Sequence, residues 1–355
     1  GTLLGKYRLQ LVAYTSYKHP WSLADGATLL DLGAVELTIP PANTQPDATS
    51  LNPTSPGYDF NSEIELADYR YSADRVAQGK GFAVELLWQA QTKPADNYLL
   101  LAELVDASGN VLRSVEHQPL SGRAPTAGWQ AGQFVRDQVD FVLPASAPAG
   151  EETLRVRLSW LRPDQSKLPV RRWLLPVGES LNLNWLDVTE KEGRVFAAPA
   201  VQYPVEANLA NQARLIGYNT TLSGESGLQW SRQQCSADAA ACQVHFDFYW
   251  QGLSEMEALY FVFLHVVDEQ GRIVAQQDKG PGIRGKEPTT SWLPGEVVAD
   301  PVDLPLSPDL MPPGLYMLQI GMYLPSAEGP RLPVLDQTGQ PIGDSIEIGT
   351  IEVIP

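Results

Sequence analysis

Hydrophobic and polar residues alternate along many short segments of this chain. The segments LRVRLSW (154–160) and QVHFDFYW (243–250) each place an apolar residue at every second position. A period of two puts these residues on one face of a β-strand, which predicts strands with one buried and one wet face. Such strands are typical of antiparallel sheets. No segment shows the sustained spacing of three and four that indicates an amphipathic helix.

Turn signals separate the predicted strands. DASG (106–109) and DEQG (268–271) have Asp at the first position and Gly at the fourth, as β-turns prefer. The proline-bearing segments 143–150 and 307–314 read as loops. Many short strands separated by turns predict an all-β fold of antiparallel β-sandwiches, either immunoglobulin-like or jelly-roll-like.

The predicted strands recur along the chain. FAVELLWQA (82–90) matches HFDFYWQGL (245–253), which places Trp88 opposite Trp250 at an offset of 162. Three further pairs of segments match at offsets of 162 to 164, and these are 97–111 with 259–273, 125–144 with 288–305, and 150–160 with 314–324. A nearly constant offset over four blocks indicates an internal repeat.

A third, partial copy begins the chain. GKYRLQLVAY (5–14) matches GLYMLQIGMY (314–323), and DLGAVEL (31–37) matches EIGTIEV (347–353). We therefore expect the first 40 residues to form only the final strands of a module. The register predicts the following division of the chain: 1–40 partial repeat, 41–57 linker, 58–190 first module, 191–212 linker and 213–355 second module.

Composition narrows the classes of partner. The chain has 355 residues, 25 basic and 42 acidic, with a net charge of −17. This charge argues against nucleic acid, which attracts Lys and Arg, and against electrostatic docking on anionic membranes. The most apolar run, 258–267, is too short to cross a bilayer, so we expect no direct membrane insertion.

The chain has two cysteines, Cys235 and Cys242, in a polar segment between two predicted strands. We expect a disulfide that closes a hairpin loop, rather than two free thiols, which are usually buried. A disulfide implies an oxidising, extracytoplasmic compartment. No histidine lies near enough in sequence to make the pair a zinc site, and we expect no cofactor.

Paired aspartates recur in both modules. Asp137 and Asp140 match Asp300 and Asp303 at an offset of 163. Two carboxylates could serve glycoside hydrolysis or contribute to a weak Ca²⁺ site. We favour a structural reading, in which each aspartate is solvated or caps a turn, because two carboxylates fall short of a calcium shell.

Tryptophans that lack a counterpart in the other copies are the remaining candidates for ligand binding. Trp173, Trp185 and Trp230 are unmatched, and indole rings can stack on sugars. Packing at a domain interface is the alternative, which we favour. The matched pairs Trp88 with Trp250 and Trp129 with Trp292 are expected in the cores.

The second module resembles a known family. FVFLHVVDEQGRIVAQQD (261–278), PTTSWLPGEVVADPVDLPL (288–306), PPGLYMLQIGMY (312–323) and IEIGTIEV (346–353) resemble C-terminal extracytoplasmic β-sandwich modules of bacterial dolichyl-phosphate-mannose-type membrane glycosyltransferase-like proteins. The resemblance implies an extracytoplasmic location and an upstream membrane domain of the same polypeptide as partner. It supplies no catalytic residues.

Three functions follow as expectations. The first is a non-catalytic extracytoplasmic accessory or structural module of a larger membrane-attached glycosyltransferase-like protein. The second is a carbohydrate-binding module with a glycan as partner, which depends on the unmatched tryptophans. The third is a glycoside-processing enzyme, which requires the aspartate pairs to converge in a cleft.

Overall fold

The computed structural model describes residues 5–11, 14–16, 19–20, 30–37, 57–173, 175–222, 227–326 and 329–355. Regular structure in these ranges is almost entirely β-strand, which confirms the predicted all-β class. The first four strands are β1 (Gly5–Leu11), β2 (Tyr14–Ser16), β3 (His19–Pro20) and β4 (Leu30–Leu37).

A two-sheet sandwich follows. Its six-stranded sheet has the order β11-β8-β6-β5-β13-β14 and its five-stranded sheet has the order β10-β9-β12-β15-β7. The strands are β5 (Tyr58–Phe60), β6 (Ile64–Tyr71), β7 (Arg75–Ala77), β8 (Gly81–Ala90), β9 (Leu99–Asp106), β10 (Val111–His117), β11 (Phe134–Val142), β12 (Gly150–Leu161), β13 (Val170–Arg172), β14 (Leu175–Gly178) and β15 (Leu181–Thr189).

A second sandwich repeats this topology. Its sheets have the orders β22-β19-β17-β16-β24-β25 and β18-β26-β23-β20-β21, so each strand has a counterpart in the first sandwich. The strands are β16 (Tyr203–Leu209), β17 (Ala213–Thr220), β18 (Leu228–Ser231), β19 (Gln243–Gly252), β20 (Phe261–Val267), β21 (Ile273–Lys279), β22 (Val297–Pro305), β23 (Gly314–Tyr323), β24 (Val334–Leu335), β25 (Pro341–Gly343) and β26 (Ile346–Ile354).

Short helical segments connect some of these strands. They are the α-helix α1 (Arg232–Ala237) and five 3-10 helices at Pro119–Gly122, Thr126–Gly128, Ala239–Cys242, Ile283–Gly285 and Thr289–Ser291. Pairing within the sheets is antiparallel, except that β7 pairs in parallel with β15 and β18 in parallel with β26.

The apolar faces of the two sheets meet in each sandwich. Along β11 the residues alternate between buried and exposed, as the period of two requires. In the first core Trp88 of one sheet lies edge-on to Trp160 of the other, with ring centroids 5.1 Å apart. Trp88, Trp129, Trp250 and Trp292 are at most 1 % exposed. The repeat-matched tryptophans are therefore core residues.

The first strands pair as the closing strands of a module do. Gly5 pairs with Leu37 and Leu9 with Gly33, and an irregularity in register follows Leu9. In the second sandwich the corresponding partners are Gly314 with Val353 and Leu318 with Gly349, and the irregularity follows Leu318. The same register and the same bulge support the partial repeat inferred from the sequence. Residues 41–56 of the expected linker lie outside the described residues.

The expected linker 191–212 contains a strand. β16 pairs with β17 on one side and β24 on the other, so the second sandwich begins at Tyr203 and not at residue 213. Apolar residues alternate along β16, at Tyr203, Val205, Ala207 and Leu209, but only one of the seven residues of the strand is fully buried. The proline and the polar residues of this strand made the segment resemble a linker in the sequence.

The cysteine loop differs from the expected hairpin. The disulfide between Cys235 and Cys242 is present, as predicted. The flanking strands, however, belong to opposite sheets, because β18 pairs with β26 and β19 with β17 and β22. α1 and the 3-10 helix at Ala239–Cys242 lie between them. The loop therefore crosses from one sheet to the other and is no hairpin.

Candidate functional site

The two aspartates of each pair lie on opposite faces of one strand. An odd spacing along a strand puts one side chain toward the core and the other toward solvent. Asp137 is 5 % and Asp300 0 % exposed, whereas Asp140 and Asp303 are exposed. Glycoside hydrolysis needs both carboxyl groups at one cleft. Neither pair is arranged for that reaction.

Asp300 joins three elements of the second sandwich. Its carboxylate forms an ion pair with Lys279 at the end of β21 and accepts a hydrogen bond from the Gly282 backbone N–H at 2.8 Å. The Trp250 indole N–H donates to the same carboxylate at 3.3 Å. Burial raises the pKa of Asp300, and the Lys279 ammonium opposes that rise.

Asp137 occupies the equivalent position in the first sandwich. Here His117 Nε2 lies 2.8 Å from the carboxylate, and the Leu120 backbone N–H donates to it at 2.9 Å. In both sandwiches the inner aspartate thus bonds to the loop that follows the sixth strand, β10 or β21. Within the described residues no group of three or more His, Cys, Asp and Glu is arranged to hold a metal ion. The geometry gives the inner aspartates a structural role and does not bring the calcium candidates together.

The outer aspartate of the second sandwich has a histidine neighbour. His245 on β19 bonds through Nδ1 to Asp303 at 2.7 Å and through Nε2 to Asp247 at 3.2 Å. The hydrogen bond to Asp303 is the largest cause of a raised pKa of His245. This group is half-exposed and lies on the outer face of the six-stranded sheet.

The three unmatched tryptophans lie on different elements of the fold. Trp173 is 79 % exposed at the turn between β13 and β14. Trp185 is half-buried on β15 of the other sheet, and the Arg155 guanidinium lies 4.4 Å from its ring centroid. Trp230 is 4 % exposed and part of the second core. A buried ring cannot stack on a sugar, so Trp230 was a wrong candidate, and the three rings form no common platform.

A polar joint connects the two sandwiches. Glu296 is 2 % exposed and forms ion pairs with Lys191, at 2.7 Å, and with Arg194, both in the connecting segment. The Arg194 guanidinium also donates to Ala145 O of the first sandwich at 3.1 Å and to Ser291 O of the second at 3.0 Å. One arginine thus bonds to both sandwiches.

Backbone contacts reinforce this joint. Thr290 Oγ1 donates to Gly79 O at 2.8 Å, and Lys80 Nζ donates to Lys286 O at 2.9 Å. Gly79 has a φ of +74°, and a Cβ built on it would lie 2.1 Å from Ser291 Cα. Only glycine fits this contact. Burial lowers the pKa of Lys80, which is consistent with a desolvated position at the joint.

The joint borders a cleft of about 470 Å³, whose lining includes Lys191, Arg284, Lys286 and Glu296. Sequence reasoning missed this joint. Two signals were available: the basic pair in KEGR (191–194) within an acidic chain, and Glu296, which replaces Gln133 of the first module at the offset of 163. Both are features that the repeat does not share.

Comparisons with known proteins give no family. No family model and no curated protein matches the chain. Among solved structures, the native conformation of an E. coli alpha-2-macroglobulin is similar over 98% of this chain and 18% of its own, at 12% identity and a TM-score of 0.22. A Salmonella alpha-2-macroglobulin mutant is similar over 99% of this chain and 19% of its own, at 14% identity and a TM-score of 0.22. The chain thus spans about a fifth of the length of these structures. Among the described residues no helix is long and apolar enough to cross a membrane.

Proposed function

We propose that this chain is a non-catalytic, extracytoplasmic structural module that holds two β-sandwiches in a fixed relative orientation within a larger membrane-attached glycosyltransferase-like protein. The joint around Glu296 is the observation that carries this proposal. A freely jointed pair of domains would be expected to have an exposed, polar linker with few contacts. Here the connecting segment instead contributes two cations to one buried carboxylate.

The buried charges favour a permanent joint over a transient one. Glu296 fixes the connecting segment to the second sandwich, because removal of one member of a buried ion pair leaves the other uncompensated at a cost of about 3–5 kcal/mol. Separation of the sandwiches would break the Arg194 bond to Ala145 together with the Thr290 bond to Gly79. The disulfide supports an oxidising location for this module.

Distances between the sandwiches test the proposal. Spin labels at Ser108→Cys and Gln270→Cys, on exposed turns of the two sandwiches, should give one narrow distance distribution by pulsed electron paramagnetic resonance. Glu296→Ala should broaden it, because Lys191 and Arg194 lose their shared partner. Glu192→Gln, an exposed position in the same segment, is the matched control and should change nothing. A broad distribution in the parent chain would overturn the fixed orientation.

Carbohydrate binding is the second candidate, because Trp173 keeps 79 % of its surface exposed. A titration of tryptophan fluorescence with glycans, compared between the parent chain and Trp173→Phe, tests it. Saturable quenching or enhancement that Trp173→Phe abolishes would favour this function.

A further inference from the structure

β14 and the turn before it lie outside the core of the first sandwich, whereas β13 pairs with β5. All four residues of β14 are exposed, on both faces of the strand, so the opposite sheet does not cover it. Leu175 is 69 % and Val177 51 % exposed, and Trp173 at the turn is 79 % exposed. These three apolar side chains at alternate positions define the apolar tip of the hairpin.

The turn fixes the direction of the tip. Trp173 has a φ of +51°, a conformation that is uncommon for a bulky residue and therefore needs support from its surroundings. Its indole ring lies against Gly57, where a built Cβ would come within 2.5 Å of the ring nitrogen. The Arg172 guanidinium lies 5.3 Å from the Tyr58 ring centroid, and Arg171 donates to Ser62 Oγ at 2.8 Å. The base of the hairpin is thus anchored while its tip is bare.

The local charge differs from that of the whole chain. Residues 162–178 contain four basic residues and one acidic residue, a net charge of +3 within a chain of net charge −17. The topologically equivalent residues 324–343 of the second sandwich contain one basic and two acidic residues, a net charge of −1. The turn there is polar, with Asp336 accepting from the backbone N–H groups of Thr338 and Gln340. The apolar, basic hairpin is therefore specific to the first sandwich.

The edge of the sheet at β14 is a poor place for a partner to add a β-strand. β14 is the last strand of its sheet, but Pro176 in its middle has no N–H to donate. Proline on an edge strand is a common obstacle to edge-to-edge pairing. The side chains of the tip, rather than its backbone, are the groups available to a partner.

We propose that the β13–β14 hairpin docks on an anionic phospholipid surface, with Trp173 and Leu175 in the interfacial layer and the basic base of the hairpin near the lipid phosphates. Tryptophan favours the membrane–water interface, and shallow apolar insertion combined with basic residues is a recognised mode of peripheral binding. Charges farther away than the Debye length, about 8–10 Å in physiological salt, are screened. The distant part of the chain's negative charge therefore acts only weakly on the hairpin, whose nearest carboxylate in register is Asp59, opposite Arg171. This inference goes beyond the proposed function and does not require the fixed joint.

Vesicle partitioning of the full chain tests this proposal. The probes are phosphatidylcholine vesicles with and without phosphatidylglycerol, including brominated lipids that quench inserted indoles. The parent chain should bind the anionic vesicles, and its fluorescence should be quenched by the bromine atoms. The double variant Trp173→Ser/Leu175→Ser should bind about tenfold more weakly or less, because two apolar side chains no longer leave water.

Two further variants test the contribution of the basic residues to vesicle binding and the specificity of the apolar tip. Arg171→Gln/Arg172→Gln should remove most of the preference for anionic over zwitterionic vesicles. Ile342→Ser is the matched control, since Ile342 is 67 % exposed on the equivalent hairpin of the second sandwich, and it should bind as the parent chain does. An unchanged thermal unfolding midpoint would show that each variant remains folded.

Three outcomes overturn the proposal: no binding of the parent chain to anionic vesicles, equal binding by the Trp173 variant, or an equal loss with Ile342→Ser. Self-association or glycan binding that depends on Trp173, without vesicle binding, would assign the tip to a second copy or to a sugar instead. These results leave the spin-label distances unaffected, so failure here is distinguishable from failure of the fixed joint.

Discussion

Two buried aspartates, Asp137 and Asp300, have equivalent positions but different side-chain partners. Asp137 faces a histidine, and Asp300 faces a lysine. The backbone N–H that each one accepts comes from a residue with positive φ, Leu120 or Gly282. The bond to a turn in an unusual conformation explains why an acidic residue is retained at a core-facing position.

Removal of the inner carboxylate should be far more damaging than removal of the outer one. Asp300→Ala should lower the free energy of unfolding by about 3–5 kcal/mol, because the Lys279 ammonium is left uncompensated. Asp303→Ala, three residues along the same strand, should change it by less than about 1 kcal/mol, since an exposed ion pair such as that with His245 contributes about 0–1 kcal/mol. Urea unfolding of the two variants measures the difference, and equal losses would contradict the structural role of Asp300.

His245 provides a pH-dependent contact at the same strand pair. Its pKa is raised above 6.5, chiefly by the hydrogen bond to Asp303. For a group whose pKa is higher in the folded state, the stabilising contribution is complete below the unfolded pKa and is lost as the pH rises through the folded pKa. The contribution should therefore be present in mildly acidic buffer and fade above pH 6.5 as His245 loses its proton.

Titration of the imidazole by NMR checks this expectation. Asp303→Asn should lower the midpoint of His245 toward the ordinary value, because the acceptor loses its charge. Asp140→Asn, the matching substitution in the first sandwich, should leave that midpoint unchanged. A midpoint of the parent chain below 6.5 would contradict the assignment.

At this scale the sequence predicted the structural reading of the aspartates but not their partners. The spacing of three residues was visible, and a strand period of two already implies opposite faces. The pairing with Lys279 depends on which strand of the other sheet lies opposite, and no local pattern encodes that. Trp230 was wrong as a ligand candidate for a related reason. The first module has no matching tryptophan, but this difference does not show whether the Trp230 side chain points to the core or to solvent.

At the scale of elements, the segment from β18 to β19 shows that a local sequence pattern predicts a strand but not the strand with which it pairs. Both strands were expected from their apolar residues, and the disulfide from the spacing of the cysteines. Their pairing was not, because β18 pairs in parallel with β26, more than a hundred residues later in the chain. Ser231 Oγ accepts from Gln234 N at 3.3 Å and begins α1, which carries Cys235 into the core.

Loss of the disulfide should destabilise the second sandwich. Closure of a loop of this length stabilises a protein by about 2–3 kcal/mol through the entropy of the unfolded chain. Cys235→Ala/Cys242→Ala should lower the free energy of unfolding by that amount, measured with urea. Treatment of the parent chain with dithiothreitol should produce a similar loss and should have no effect on the double variant. An unchanged midpoint after verified reduction would contradict this estimate.

For the whole molecule, the repeat was the strongest sequence signal and its topology is reproduced strand for strand. Its offsets are visible because equivalent core positions, such as Trp88 and Trp250, require the same residue in both copies. The joint was missed, since Lys191 and Arg194 lie between the modules and Glu296 stands where the first module has Gln133. The apolar hairpin of the first sandwich is likewise an unshared feature. Shared positions thus specify the fold, and unshared positions carry the contacts that are particular to this protein.

The ion pairs of Glu296 also decide where the chain can be divided. Val297 N donates to Val195 O at 2.7 Å, so the segment from Lys191 to Val195 is attached to the second sandwich although it precedes Tyr203. A fragment that starts at Tyr203 would leave Glu296 without either cation and would expose apolar surface around Val297. The same contacts should protect the segment from proteolysis. Trypsin should cleave after Lys191 or Arg194 more slowly than after basic residues that are exposed. The natural unit of this half of the molecule therefore begins at Lys191.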